Sequence, residues 1–267
     1  MAYFNNQQPP PVNPGYAGWN VPPQGVGAMP HYAESGIPKH EMGFSDQTIR
    51  AAFIRKVFFM VSIMLAVVTV MSAIPFIHTP TKLFIQQNHG IYLLGYFTFL
   101  VVYIALMCCE GVRRSFPSNI ICTAILTLSI GYMTMVLCSV HELTPVLMCL
   151  AITCVCCGSI IIFASQTKYD LTSMMGFMFI ASMVLMVFGL VAAVSMIAFK
   201  VRFLYTIYAG LAALLFMVYL AIDIQMLMGG RKYEISPEDH IFAAIQIFLD
   251  IVYIFWMLLS LFGSSNN

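Results

Sequence analysis

A chain of 267 residues that is 60% hydrophobic and only 9% charged is not a soluble domain, in which about a quarter of residues are charged. Its formal net charge of +1 supplies neither the basic field that nucleic acid requires nor an acidic field for cations. Its eight cysteines all fall inside or at the ends of apolar runs, which excludes a loop-borne disulfide framework or zinc ribbon.

Residues 1–50 hold eight of the 13 prolines and six glycines, with repeated Asn and Gln. Such a segment buries too little apolar surface to offset its ordering entropy. The expectation is a disordered cytosolic tail over 1–50 and a transmembrane domain over 51–267. The tail lacks the apolar core of a secretory signal, so no cleavage is expected. Its PPPVNPGY stretch (9–16) favours polyproline II and an aromatic groove, but fits no stringent ligand spacing.

Seven apolar spans follow: 53–77, 91–109, 118–138, 145–165, 174–198, 203–228 and 241–262. Each is long enough to cross about 30 Å as a helix, and helices satisfy their own backbone groups in lipid. The predicted fold is an all-α membrane protein, a seven-transmembrane-helix bundle. Helix-start chemistry occurs at Pro117-Ser118-Asn119, at Thr144-Pro145 and at Ser236-Pro237-Glu238-Asp239. The last predicts a Ser cap with Pro at the first helical position, so the seventh span is a separate helix. With the N-terminus inside, nine Lys and Arg residues face the cytosol. Lys82, Lys200 and Arg202 face the other side. That asymmetry predicts N-in and C-out.

Two acids interrupt the last two spans. Asp223 lies about five residues from the end of span six, and Asp250 about nine residues into span seven. At 1.5 Å per residue both fall in the cytoplasmic half of antiparallel neighbours. A charge in hydrocarbon costs roughly 2.5–3.5 kcal/mol on insertion scales, so an intramembrane acid is a functional candidate before it is packing glue. Helical spacing puts Gln246 and Tyr253 on the Asp250 face, and Tyr219 on the Asp223 face, as supporting polar residues. Two carboxyls in contact would share a proton and titrate in coupled steps. Protonated, they clip two helices together. Deprotonated, they repel or attract a hard cation such as calcium, which makes the pair a transient metal site too. Arg113, at the end of span two, either anchors that end or reaches in to a carboxylate. The cysteines read as small apolar packing residues, with Cys108 and Cys109 placed for acylation. The 20 methionines read as gap-filling side chains rather than a soft-metal path.

Several motifs, in order, resemble the Bax-inhibitor/lifeguard family over about residues 45–263. They are FIRKVF (53–58), RRSFPSN (113–119), FASQTKYDLT (163–172), Asp223-Ile224-Gln225, and GGRKYEISPEDHIFAAIQIFLDIVYIF (229–255). The Pro/Gly/Tyr-rich tail fits the lifeguard branch. Ile224 stands where the family usually has Thr, and Tyr253 where Asn is common. The resemblance implies a bundle with its last helix central, residence in the ER or Golgi or the plasma membrane, a proton-sensitive calcium leak and suppression of apoptosis. By motif it assigns the pH sensor and gate to Asp223 and Asp250, and a latch to Arg113.

The expected function is therefore an endomembrane calcium leak channel or calcium-homeostasis regulator that restrains apoptosis, gated by protonation of the Asp223/Asp250 pair. Calcium would be the permeant ion, with no resident cofactor. The expected partners are the lipid bilayer, calcium, and apoptosis regulators or death-receptor components, with no nucleic acid. The alternative is a non-conducting interaction protein acting on death-receptor or channel partners. An intramembrane aspartyl protease also needs two acids on consecutive helices. Such enzymes resemble one another in a Gly-x-Gly-Asp signature, and Ile247-Phe248-Leu249-Asp250 does not match it, so no enzyme is expected. A seven-helix receptor coupled to a G protein would have the opposite orientation.

Overall fold

The structure, a computed structural model, describes residues 39–263. Residues 1–38, with the PPPVNPGY stretch, lie outside the described residues. From Gly43 onward the chain forms one compact unit. Its helices are α1 (Lys39–Ile77), α2 (Thr79–Gln87), α3 (His89–Cys108), α4 (Glu110–Arg114), α5 (Ser118–Ser139), α6 (Leu143–Gln166), α7 (Met175–Phe199), α8 (Arg202–Met228) and α9 (His240–Phe262). α1 begins inside the segment expected as tail, ahead of the boundary at 50. Among the described residues seven helices are long and apolar enough to cross a membrane, and their bounds follow the seven predicted spans to within a few residues except at the start of the first. The protein is a multi-pass membrane protein.

Exposure assigns the solvent. On α7, Phe177, Phe179, Ile180, Val184 and Leu190 are each more than 60% exposed. A water-soluble chain does not carry an apolar face of that extent, whereas lipid requires one. Only 11% of the apolar window of α3 or α7 is buried in the protein, against 67% for α9. α9 is therefore the central helix. It packs most extensively on α8, and also on α6 and α5. Ala212, Ala213 and Ala221 on α8 and Ala243 and Ala244 on α9 are all buried. In lipid, small residues at helix contacts let backbones approach closely.

The bundle has a basic end, with Arg50, Arg113, Arg114, Lys168, Arg231 and Lys232, and a far end, with His78, Lys82 and the α7–α8 turn. Two short helices occupy connections that read as loops. At the far end α2 is capped by His78, whose Nδ1 accepts from Thr81 N at 3.3 Å. At the basic end α4 is set off from α3 by the extended backbone of Cys109 (φ −107°, ψ 94°).

The expected Ser236 cap does not form. Ser236 makes no side-chain cap bond. Pro237–Asp239 is a 3-10 turn, and α9 starts at His240. The acid that would have joined the cap, Asp239, is drawn to arginines of α4 instead.

Candidate functional site

α8 and α9 run antiparallel, so Asp223 near the end of one meets Asp250 near the start of the other. Both are buried, at 4% and 7% exposure. Their carboxyls lie within hydrogen-bonding reach of each other. Among the described residues the ion pairs include neither carboxyl. Tyr103 of α3 lies within electrostatic reach of both carboxyls, and Cys157 of α6 and Tyr253 of α9 within reach of Asp250. Asp250 Oδ2 is buried without a hydrogen-bond partner. Buried polar atoms are nearly always satisfied, and an exception calls for an explanation such as a water or ion.

The other predicted site residues take partners of their own. Tyr219 turns to α7 and donates to Met178 O at 3.2 Å. Tyr253 stacks on Phe216 at 4.8 Å between ring centroids. Gln246 is half-buried one turn before Asp250. Arg113 is buried at the basic end. It donates from Nε to Asp239 Oδ1 at 3.2 Å, stands 4.0 Å from Glu110, and covers the Phe242 ring at 5.4 Å. Arg114 holds the same Asp239 through both carboxylate oxygens at 3.0 Å. Arg113 thus finds its carboxylate at the entry to α9. There the guanidinium stays near the bundle end, whereas reaching deep to Asp250 would desolvate it fully.

Above the pair, the α6–α7 and α8–α9 loops are tied together, with side chains from α1 and α8, into a clasp that spacing alone does not reveal. Gln225 is buried. Its Nε2 donates to Tyr169 O and its Oε1 accepts from Leu171 N, both at 2.8 Å. Arg231 donates to the carbonyls of Thr167 and Lys168. Asp170 accepts from Thr172 N at 3.0 Å and from Lys232 N at 3.1 Å. Arg50 reaches from α1 to Ile235 O at 2.6 Å and Glu234 Oε2 at 2.7 Å. The stretch FASQTKYDLT is thus the dock for the α8–α9 loop. The signal for Gln225 lies in the Asp223-Ile224-Gln225 motif, where a second polar side chain stands two residues after the acid inside an apolar run.

Two expectations follow from the clasp. Gly229 has φ 76° and ψ −176°, and a Cβ there would overlap the Arg50 guanidinium. Such backbone is essentially confined to glycine, so Gly229→Ala is expected to destabilise by about 1–3 kcal/mol. A thermal melt of the purified variant checks it, and an unchanged melt contradicts the contact. The second concerns Asp170, whose carboxyl is held below the usual carboxylate range. The Thr172 hydroxyl is the main cause, helped by the Lys232 and Thr172 N–H groups. A depressed acid contributes stability that is present above its ordinary value and lost as pH falls through the lowered one. Amide protection at Lys232 and Thr172 is thus expected to fall below about pH 4. Asp170→Ala, which removes both acceptor oxygens, is expected to lose that protection at neutral pH as well, read by hydrogen exchange.

Among the described residues, no group of three or more His, Cys, Asp or Glu side chains gathers as a metal site. Calcium takes about 6–8 oxygen ligands, so the two carboxyls alone do not make a resident calcium site.

A family model described as "Inhibitor of apoptosis-promoting Bax1" matches residues 50–267. Protein lifeguard 3 of Mus musculus is 37% identical over 265 residues, covering 95% of this chain and 86% of that protein. Protein lifeguard 3 of Homo sapiens is 39% identical over 223 residues, covering 84% of this chain and 72% of that protein. Protein LIFEGUARD 1 of Arabidopsis thaliana is 27% identical over 222 residues, covering 82% of this chain and 90% of that protein.

Proposed function

The chain belongs to the Bax-inhibitor/lifeguard family, and from that premise we propose that it is a membrane regulator that restrains apoptosis by leaking calcium from an endomembrane store. The store is the ER or Golgi, and the basic end with the N-terminus faces the cytosol. The protein acts as a regulator and not as an enzyme. The observation that carries the leak is the meeting of two buried carboxyls, Asp223 and Asp250, with no cation beside them.

The pair has two states. With one proton shared, a hydrogen bond joins α8 to α9 and one negative charge is removed. With the proton lost, two like charges face each other in a medium of low dielectric. At about 4 Å and an effective dielectric constant of 20 their repulsion is about 4 kcal/mol. The helices then part, or a cation enters between them. Calcium is the permeant ion of this reading, held only in passing by the two carboxyls. Arg113 does not reach the pair in this arrangement, and it latches α4 to the start of α9 through Asp239.

The test is calcium flux into dye-loaded liposomes on both sides of neutrality, with wild type beside Asp223→Asn/Asp250→Asn. A pH-dependent flux that the variant flattens supports the leak and its sensor. No flux above empty liposomes at any pH overturns it, and favours a non-conducting protein that acts on death-pathway partners.

A further inference from the structure

We infer that the carboxyl pair is reached from the far end of the bundle through a tyrosine-lined vestibule, and that the stacked rings of Phe216 and Tyr253 are the barrier at its inner end. The inference deepens the leak reading by assigning the route and its constriction.

The vestibule is a cleft of about 450 Å³ whose lining includes Tyr92, Tyr205, Trp256, Met257 and Ser260. One wall, Met133, Val136, Leu137 and Val140, is apolar, and the opposite walls carry polar groups. Tyr205 donates to Ser260 Oγ at 3.4 Å, and Trp256 Nε1 donates to Thr134 Oγ1 at 2.9 Å. Three helices then lead inward along single faces. On α9, Ser260, Met257, Tyr253 and Asp250 recur every three or four residues. On α8, Tyr205, Phe216 and Asp223 are separated by whole turns. On α3, Tyr92 and Tyr103 are three turns apart. Tyr92 lines the vestibule, while Tyr103 lies within electrostatic reach of both carboxyls.

Between the two ends stand the rings. Tyr253 stacks on Phe216 at 4.8 Å with planes 26° apart, and meets Trp256 edge-on at 5.4 Å. It therefore touches the vestibule wall on one side and sits one turn from Asp250 on the other. Tyrosines at a span end usually form an interfacial belt. That accounts for Tyr92 and Tyr205. It does not account for Tyr253, which lies nine residues from the nearer end of its helix. A hydroxyl-bearing ring at that depth needs a polar partner, and a passage that hydrates when the rings part supplies one.

The test uses the full chain in detergent and does not depend on calcium passing. A water-soluble carbodiimide with an amine nucleophile labels accessible carboxyls, and peptide mass spectrometry reads the positions. The exposed Glu234 and Glu238 are the internal standard. Wild type is expected to label there and not at Asp223 or Asp250. Phe216→Ala/Tyr253→Ala is expected to raise labelling of Asp250 by about tenfold or more, as an opening made easier by one decade would. Tyr253→Phe keeps the stack and should stay as wild type. If the double variant does not purify as a single species, Phe216→Ala alone is read the same way. In a Trp19→Phe background Trp256 is the sole tryptophan, so iodide quenching reports water in the vestibule. A Trp256 that iodide does not reach, or carboxyls that stay unlabelled once the rings are gone, overturns the route. A vestibule that labels as expected in a protein that passes no calcium keeps the route and removes only the leak.

Discussion

In proteoliposomes the wild-type protein is expected to pass calcium faster above neutrality than below it, by at least about tenfold, since about 1.4 kcal/mol is a factor of ten in rate. The Asp223→Asn/Asp250→Asn variant is expected to pass it at one rate throughout. The sign follows from the geometry. Among the described residues the ion pairs include neither carboxyl, so the shared proton is what neutralises one charge of the pair. Raising the pH removes that proton and leaves a repulsion of about 4 kcal/mol at 4 Å and an effective dielectric constant of 20. That energy exceeds what a tenfold change needs, so the tenfold figure is a floor. Two asparagines keep the volume and an amide hydrogen bond, and carry no charge at any pH. The single variants separate the roles. If one carboxyl suffices to draw in a cation, Asp223→Asn or Asp250→Asn alone should flux with a shallower pH dependence. A double variant whose flux still follows pH like wild type would move the sensor elsewhere in the bundle.

The second large effect is expected at the entry to α9. Asp239 holds both Arg113 and Arg114, and its side chain is 15% exposed beside an Arg113 that is 10% exposed. Removing one member of a mostly buried pair leaves a charge without a partner, and Asp239→Ala is expected to cost about 3 kcal/mol. Its neighbour Glu238 also meets Arg114, at 3.5 Å, but is 75% exposed. Solvent screens that contact, so Glu238→Ala is expected to cost under about 1 kcal/mol. Thermal unfolding of the two variants side by side makes the comparison. A double-variant cycle over Arg113 and Asp239 then isolates the coupling. Equal small losses for both variants would mean that Arg113 stays solvated without Asp239.

The membrane domain was legible in the chain because each span satisfies its backbone by itself and must be about 20 apolar residues long. Composition and length decide such a helix, and the seven observed spans follow the predicted ones to within a few residues, save α1, which begins earlier. The two acids were legible for a related reason, since a carboxylate inside an apolar run stands out by its cost. Residues 229–255 and the stretch 163–172 carried the resemblance that the family match bears out.

The partners were not legible. Helical spacing put Tyr219 on the Asp223 face, and that placement cannot say that its hydroxyl turns to Met178 on α7. The charge pattern placed Arg113 at the right end of the bundle and left its carboxylate open between the deep pair and the surface. Ser236 had the chemistry of a cap, yet the chain put a 3-10 turn there and gave Asp239 to two arginines. In each case the sequence by itself determined which groups must be satisfied, because burial and periodicity are local. The tertiary structure alone decided by whom. The contacts that bring Gln225 to Tyr169, Arg50 to Glu234 and Asp223 to Asp250 depend on how separate helices are packed side by side, and that energy belongs to no single span.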